Sequence, residues 1–295
     1  MTEFINQIIN GLSLGSIYAL VALGYTMVYG IIKLINFAHG EIYMFGAFTG
    51  MLAITVLKMP FFLALVFSMV VTAILGVIIE RVAYKPLRKS SKTAALITAI
   101  GISFLMQNLT AVIMGPNTIA FPQVIEKQMI NILGVRTNSL QLMIFGVTIT
   151  LMFILQFIVK KTKLGRAMRS VAVDKDASVL MGVNVDNTIT TTFAIGSALA
   201  AAAGVMIGLY QIRVVFWMGT APGLKAFVAA VFGGIGSIPG AMVGGFSIGL
   251  LEALIGGYGG ALFSPYRDAF VYALLILVLL FKPSGLLGKN VKEKV

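Results

Sequence analysis

A few ionisable side chains stand between long apolar stretches of this sequence, and they are its first candidates for chemistry. The segment Asn36-Phe37-Ala38-His39-Gly40-Glu41 lies between two apolar runs, with Lys33 just before it, and Glu252 lies inside another apolar run. An ionisable group is costly in lipid, so it either reaches an interface or faces a protein-lined or water-filled path. The first segment is therefore either an interfacial turn or the edge of a transport path. Glu252 is either a carboxyl satisfied by a neighbouring helix or a participant in transport.

The residue types in this sequence offer little support for catalysis. The chain has no Cys and one His, which excludes disulfides, thiolate chemistry and metal sites built from Cys or from several His. It contains no Ser/His/Asp cluster in a catalytic context, and Gly285-Leu286-Leu287-Gly288-Lys289-Asn290 has glycine spacing too short for a phosphate-binding loop. The sequence predicts a protein that is not an enzyme and that holds no cofactor and no metal.

The elements that hold these residues must be membrane helices. Of 295 residues, 59% are hydrophobic and 11% are charged, with a mean hydropathy of +0.99, whereas a soluble domain carries about 25% charged residues. A soluble enzyme and a disordered chain are both excluded. At roughly 20 residues per crossing, the apolar content predicts an all-α polytopic membrane protein with about eight or nine transmembrane helices. We expect these helices to form a single transmembrane domain over residues 1–295.

Basic residues assign a side of the membrane to the loops. Of the 22 Lys and Arg residues, 15 lie in three segments: Glu80 to Lys92, Lys160 to Thr188 and the tail from Lys282. An excess of Lys and Arg marks cytoplasmic loops, so the net charge of +12 does not indicate nucleic acid. Residues 115–136 and 210–225 then face outward. With Tyr210 outside and Lys282 inside, the chain between them must enter the membrane and return, which predicts short or broken helices near 226–258, and another break lies near 36–57.

Glycine is frequent, with 32 residues, many of them at the GxxxG spacing that lets transmembrane helices approach closely. Most glycines are therefore interpreted as packing positions. The stretch Gly233-Gly234-Ile235-Gly236-Ser237-Ile238-Pro239-Gly240 differs, because Pro239 lacks a donor and the glycine density favours non-helical backbone. Such a break persists in a membrane only inside protein or beside water.

The basic segment Lys160 to Thr188 contains a short amphipathic pattern. Asp176 and Ser178 are predicted to begin a helical stretch that Gly182 can end with a left-handed backbone. One face of this stretch is apolar, and no soluble domain in the chain covers it, which favours a partner protein. The residues of that face are Ala177, Leu180 and Met181.

These segments together resemble one family. Asp176-Ala177-Ser178-x-x-x-Gly182 is similar to the Glu-Ala-Ala-x-x-x-Gly loop by which ABC-importer permeases dock on their ATPases, with Asp for Glu and Ser for the second Ala. Together with Asn36 to Glu41, Ile79 to Arg88 and Gly233 to Ala241, it makes the chain resemble, end to end, the H-type permease subunit of bacterial branched-chain amino-acid ABC importers.

The resemblance implies a multi-pass subunit of the bacterial inner membrane, surrounded by lipid. Its implied partners are a second homologous permease subunit, two ATP-binding cassette subunits and a periplasmic substrate-binding protein that delivers leucine, isoleucine or valine. Relatives that move urea, amides or other amino acids leave the solute open. The implied ATPase-coupling residues are Arg166, Asp176, Ala177, Ser178, Leu180, Met181 and Gly182.

We expect the solute to pass between the two breaks, because broken helices in corresponding positions of two halves mark a translocation path. Asn36 and Ser237 would offer hydrogen bonds to a zwitterion, Gly236 would stand in the path, and Glu41 would hold the break in shape. The remaining, mostly apolar lining is expected to be Tyr25, Tyr29, Phe37, Phe45, Phe227 and Val231.

A rival hypothesis from another class is a self-contained secondary transporter or channel, in which Glu41, His39 or Glu252 would carry protons. Broken helices suit both hypotheses. The segment Lys160 to Thr188 favours the importer subunit, because a secondary transporter needs no exposed docking helix.

Overall fold

The computed structural model describes residues 2–88, 90–132 and 135–288, and these are mostly helical. In chain order the helices are α1 (Thr2–Ile32), α2 (His39–Thr55), α3 (Phe61–Ile79), α4 (Lys85–Leu87), α5 (Lys92–Met114), α6 (Ser139–Lys161), α7 (Lys163–Val173), α8 (Lys175–Leu180), α9 (Val185–Gln211), α10 (Thr220–Gly233), α11 (Ile238–Tyr258), α12 (Gly260–Phe263) and α13 (Arg267–Phe281). A π-helical turn, Glu80–Tyr84, joins α3 to α4, and a 3₁₀ turn, Ser264–Tyr266, joins α12 to α13. The predicted all-α class is confirmed.

Within the described residues, 7 helical segments are long and apolar enough to cross a membrane. They are Thr2–Ile32, Phe61–Leu87, Thr93–Met114, Ser139–Lys161, Val185–Gln211, Ile238–Tyr258 and Gly260–Phe281. Two further helices are shorter: α10 has 14 residues, and α2 has 17, near the lower limit of about 17 residues for a full crossing. The prediction of a polytopic membrane protein is confirmed, and both short helices lie where broken or short helices were predicted.

Short strands close the end of the bundle opposite the basic segments. Strand β1 (Ile119–Ala120) pairs antiparallel with β4 (Arg213–Val214), with Ile119 opposite Val214. Strand β2 (Met129–Ile132) pairs antiparallel with β3 (Val135–Asn138) in the same connection between α5 and α6. The first pair ties this connection to the end of α9, so the two segments expected to face outward share one end.

Helices α1 and α9 form the centre, while α3, α5, α6 and α13 present apolar side chains on the outside of the bundle. Glycines set the spacing between α1 and α11. A Cβ atom on Gly15 would lie 2.8 Å from Phe246 Cα, and one on Gly249 would lie 2.3 Å from Gly15 Cα. Because no side chain fits at these distances, the glycines let the two backbones approach closely.

Basic segments meet at the other end of the bundle, which we call the basic end. Lys85 forms an ion pair with Asp186 at 2.9 Å, and Arg88 pairs with both Asp186 and Glu80, which ties α4 to the start of α9. The Leu286 N–H donates to a carbonyl oxygen at the end of α10 (2.8 Å), which places the tail at the same end. The other basic residues of the tail, Lys289, Lys292 and Lys294, lie outside the described residues.

Helix α2 begins inside the bundle. His39, its first residue, lies against Gly24, well before α1 ends at Ile32. Glu41 lies beside Ser103, in the middle of α5. The chain from 33 to 38 therefore runs back from the basic end into the interior before α2 starts, and α2 completes only the remaining part of a crossing.

Helix α10 also begins inside the bundle and runs to the basic end. The chain then turns through Gly234 and Gly236, whose φ angles of +108° and +93° suit glycine, and α11 returns to the opposite end. The pair starts at Thr220, before the uncharged run that was used to predict it. Lys225, expected at the end of an outward loop, lies within α10, because a buried carboxylate on α11 neutralises it (2.9 Å from Lys225 Nζ to Glu252 Oε1).

Candidate functional site

The first turns of α2 and α10 meet at a cavity of 180 Å³, which we call the inner cavity. Glycine makes the meeting possible. A Cβ atom on Gly40 would lie 2.4 Å from the Gly219 carbonyl oxygen, and one on Gly223 would lie 2.9 Å from Gly40 Cα. The backbones of the two half-crossing helices therefore contact each other directly, and α1 and α5 complete the walls.

Glu41 supplies the only carboxylate among the described residues that line the inner cavity, and its side chain is nearly inaccessible, with 2% of the residue exposed. Its Oε1 accepts long hydrogen bonds from Ser103 Oγ (3.3 Å) and Thr220 Oγ1 (3.4 Å). Its Oε2 has no hydrogen-bond partner among the described residues. Since these partners are neutral, the carboxylate is held in place without charge compensation.

Aromatic side chains form one wall of the inner cavity. Tyr25 and Phe37 both line it, and Phe227 packs behind them with ring centroids 6.1 Å and 5.9 Å away, respectively. The ring of His39 lies 4.7 Å from that of Tyr25, on the α1 side. Four residues expected on the translocation path, Tyr25, Phe37, Glu41 and Phe227, are thus brought together.

A larger cavity of 820 Å³, the outer cavity, opens at the end opposite the basic end. Its walls carry many polar groups, among them the buried pair of Lys225 and Glu252, which are 6% and 5% exposed. Tyr18 Oη donates to Glu252 Oε2 (2.8 Å), and Lys225 Nζ also lies 2.8 Å from an oxygen of Asp268 at the start of α13. Of the two alternatives for Glu252, the structure therefore shows the first, in which residues of neighbouring helices satisfy its carboxyl group.

Two residues line both cavities. Thr220 and Leu224, one turn apart on α10, separate the outer cavity from the inner cavity. Gln107 of α5 donates from its amide nitrogen to Thr220 Oγ1 (3.2 Å). The start of α10 is thus the boundary between a polar, open compartment and a small compartment with an aromatic wall.

Other residues expected on the path lie apart from the inner cavity. Asn36 is buried, and its Oδ1 accepts a hydrogen bond from Tyr84 Oη (2.7 Å), which holds the turn before α2. Ser237 Oγ caps α11 by accepting from the Gly240 N–H (3.2 Å). Gly236 lies at the basic end, beside Gly30 of α1.

The other residues predicted to line the translocation path pack against neighbouring side chains and do not line the inner cavity. Tyr29 is partly buried near the end of α1, where the Lys33 ammonium lies 5.9 Å from its ring centroid. Phe45 is partly buried on α2, one turn beyond Glu41, and Val231 is buried in α10. Their role in the path stays a prediction.

A charge cluster organises the basic end. Glu80, fully buried in the π-helical turn, accepts hydrogen bonds from Arg88 and from Thr190 Oγ1 (2.7 Å for the latter). Asp186, at the surface, forms an ion pair with Lys85 at 2.9 Å. Both carboxylates therefore tie the end of the α3–α4 span to the start of α9.

The predicted amphipathic stretch is a helix, α8. It begins earlier than expected, because Asp174 caps it: the Asp174 carboxylate accepts from the Ala177 N–H (3.0 Å). Ser178 is buried, with its Oγ 2.7 Å from that of Ser170 on α7. Gly182 ends the stretch with a φ of +80°, as predicted.

The outer surface of α8 is apolar and uncovered. Leu180 is 87% exposed and Met181 is 83% exposed. Ala177 and Asp176 are exposed beside them, while Arg166 is exposed on the separate helix α7. We call Ala177, Val179, Leu180 and Met181 the α8 surface. It is held out from the bundle by the packing of Ser178 against α7.

Sequence reasoning missed Ser103, Gln107, Thr220 and Lys225 as members of these cavities. The first three are ordinary uncharged polar residues in apolar helices, so no local signal marks them. A signal did exist for Lys225, because it is the only charged residue between Arg213 and Glu252 and a buried lysine needs a nearby carboxylate.

Comparison with known proteins gives a consistent result. A family model described as "Branched-chain amino acid transport system / permease component" matches residues 7–279. The high-affinity branched-chain amino acid transport system permease protein BraD of Pseudomonas aeruginosa is 44% identical, over 99% of this chain and 98% of the relative. LivH of Escherichia coli strain K12, which has the same description, is 42% identical over 99% of this chain and 98% of the relative.

Solved structures resemble the fold at lower identity. PsaBC from Streptococcus pneumoniae, in complex with Fab, has a TM-score of 0.51 and 16% sequence identity, and the match covers 93% of this chain and 91% of that chain. This likeness concerns the fold alone. Since the family model spans most of the sequence and the two relatives match it almost from end to end, the chain belongs to the branched-chain amino acid transport system permease family.

Proposed function

We propose that this chain is the membrane permease subunit of an ATP-driven importer of branched-chain amino acids. The descriptions of BraD and LivH support the solute class. The observation that carries the ATP-driven part is the α8 surface, because its apolar side chains are exposed at the end of the bundle where basic residues gather. Such a surface favours a soluble partner. We assign that partner as the ATP-binding cassette subunits, which would hydrolyse ATP while this chain provides no catalysis.

The path for the solute leads from the outer cavity to the inner cavity. A periplasmic binding protein would deliver the solute to the outer cavity, whose end of the bundle carries the strands and lies opposite the basic end. Thr220 and Leu224 form the boundary that the solute must pass. Beyond it, Tyr25, Phe37 and Phe227 supply an apolar wall for a branched side chain.

The second permease subunit would cover the open side of the inner cavity, between α5 and α10. Phe104 and Leu224 are exposed there, 61% and 38% respectively, and the polar side chains of Gln107 and Thr220 lie next to them. Lipid does not satisfy polar groups at membrane depth. A protein cover that leaves room for a solute suits this side better than lipid does.

The experiment is uptake by a reconstituted complex. The chain is purified with its companion permease and ATPase subunits, placed in proteoliposomes, and supplied with the binding protein and labelled leucine. ATP-dependent uptake that isoleucine and valine compete away supports the proposal. Uptake by the chain alone, driven by a proton gradient, would establish the secondary transporter instead. A complex that moves urea or an amide but not leucine would reassign the solute.

A further inference from the structure

The two buried carboxylates that line the inner and outer cavities, Glu41 and Glu252, differ in how they are paired. Glu252 lies 2.9 Å from Lys225 Nζ and 3.7 Å from Arg267 Nε. Glu41 has no salt-bridge partner among the described residues, and the residues that line the inner cavity include no Lys, Arg or His. One carboxylate thus has a cationic partner within the chain, and the other has none among the described residues.

An uncompensated carboxylate at this depth is costly. Burying an ionised group without a partner is far more unfavourable than burying a paired one. The first turn of α2 offsets only a part of that cost, since carboxylates are modestly favoured near helix N-termini. The long hydrogen bonds from Ser103 and Thr220 (3.3 and 3.4 Å) add little. The geometry leaves one oxygen, Oε2, without a hydrogen-bond partner.

The cavity around this carboxylate suits an aliphatic amino acid. Apolar side chains from three elements, Phe37, Phe104 and Leu224, stand around it, and Gln107 provides an amide at its edge. Its volume of 180 Å³ is well below the roughly 300–1,000 Å³ of drug-sized ligand sites. The cavity therefore combines a small apolar space with a single carboxyl group that has no cationic partner among the described residues.

We propose that Glu41 binds the α-ammonium group of the amino acid as it passes through the inner cavity. The ammonium group supplies the charge that the described residues do not, and the side chain of the amino acid contacts Phe37, Phe104 and Leu224. A single carboxylate is a weak site, which lets the solute leave. This inference rests on the proposed function and assigns Glu41 a binding role in place of the shape-holding role expected from the sequence.

Two substitutions separate charge from shape. Glu41→Gln keeps the length of the side chain and an oxygen that accepts from Ser103 and Thr220, but it removes the charge. Glu41→Asp keeps the charge and shortens the side chain. If Glu41 binds ammonium, uptake falls about tenfold or more in Glu41→Gln, the loss expected for a charge-assisted hydrogen bond, and Glu41→Asp retains more uptake. Glu126→Gln, an exposed loop position, is the matched control and should transport normally.

The experiment uses the full complex in proteoliposomes and follows leucine uptake, ATP hydrolysis and co-purification of the second permease subunit. Normal assembly, ATP hydrolysis stimulated by loaded binding protein and reduced uptake in Glu41→Gln support the inference. Greater uptake in Glu41→Gln than in Glu41→Asp would show a role in shape and overturn it. Loss of the second permease subunit in Glu41→Gln would show that a cation of that subunit pairs with Glu41, which also overturns it. Absence of leucine uptake by the unmodified complex would instead refute the proposed function.

Discussion

The buried ion pair between α10 and α11 gives the sharpest stability prediction. Lys225→Met removes the only ammonium group within 3 Å of Glu252 among the described residues and keeps a side chain of similar length. Asp268 also loses a partner at 2.8 Å, but its side chain is 48% exposed, so water compensates most of that loss. The substitution therefore isolates the effect on stability of leaving the Glu252 carboxylate buried with less compensation of its charge.

The magnitude follows from the contacts that remain. Removing one partner of a buried pair costs about 3–5 kcal/mol, and Arg267 at 3.7 Å from Glu252 places the expected loss near the lower value. Glu252→Gln leaves Lys225 with Asp268, so we expect a smaller loss of about 1–2 kcal/mol. The double variant should cost less than the sum of both by about 1–3 kcal/mol, because no unpaired buried charge remains.

The measurement is the free energy of unfolding in mixed micelles of a mild detergent and dodecyl sulfate. Trp217, the only tryptophan of the chain, lines the outer cavity and reports the transition. Lys127→Met, at an exposed loop position, is the matched control and should change stability by less than about 0.5 kcal/mol. Equal stability of Lys225→Met and the unmodified chain, or strict additivity in the double variant, would refute the role given to this pair.

Three further predictions concern coupling, the α10–α11 turn and orientation. Leu180→Asp places a charge on the α8 surface, so we expect normal insertion but loss of ATPase co-purification and uptake; retained uptake would remove the docking assignment. Gly236→Leu forces a side chain onto a φ of +93°, so uptake should stop while ATP hydrolysis stays measurable, whereas Gly101→Ala, where a Cβ meets nothing within 4 Å, should be neutral. Cysteines at Asp176 and Asn117 should react from the cytoplasm and from outside respectively, and the reverse pattern would invert the proposed orientation.

The sequence predicts the fold class, the two broken regions and the short helix at the basic end, because each depends on local composition. Gly182 illustrates this: a glycine after an amphipathic stretch is a local signal for a helix end, and it ends α8 with a φ of +80°. Charge gaps located the spans for the same reason, since a charge in lipid is costly wherever it occurs.

The rest depends on contacts between distant segments. Lys225 precedes an uncharged run, so a local rule begins the helix after it, at Ala226, whereas α10 begins at Thr220 because the partner of Lys225, Glu252, lies on another helix and keeps it inside. Asn36 was assigned to the solute, but its side-chain oxygen Oδ1 accepts a hydrogen bond from Tyr84 Oη, 48 residues along the chain. Which polar groups remain free to bind a solute is decided by such tertiary partners and cannot be read from spacing.

The glycine contact between α1 and α11 has a consequence for biosynthesis. Helix α1 packs closely against α11, which is synthesised more than 200 residues later, with Gly15 against Phe246 and Gly249 against Gly15. Until residues 238–258 are synthesised, the glycine face of α1 lies uncovered in the membrane. Reporter fusions to truncated chains would therefore place the early helices in surroundings that the finished protein never provides. Single cysteines in the full-length chain, which has none of its own, avoid that error.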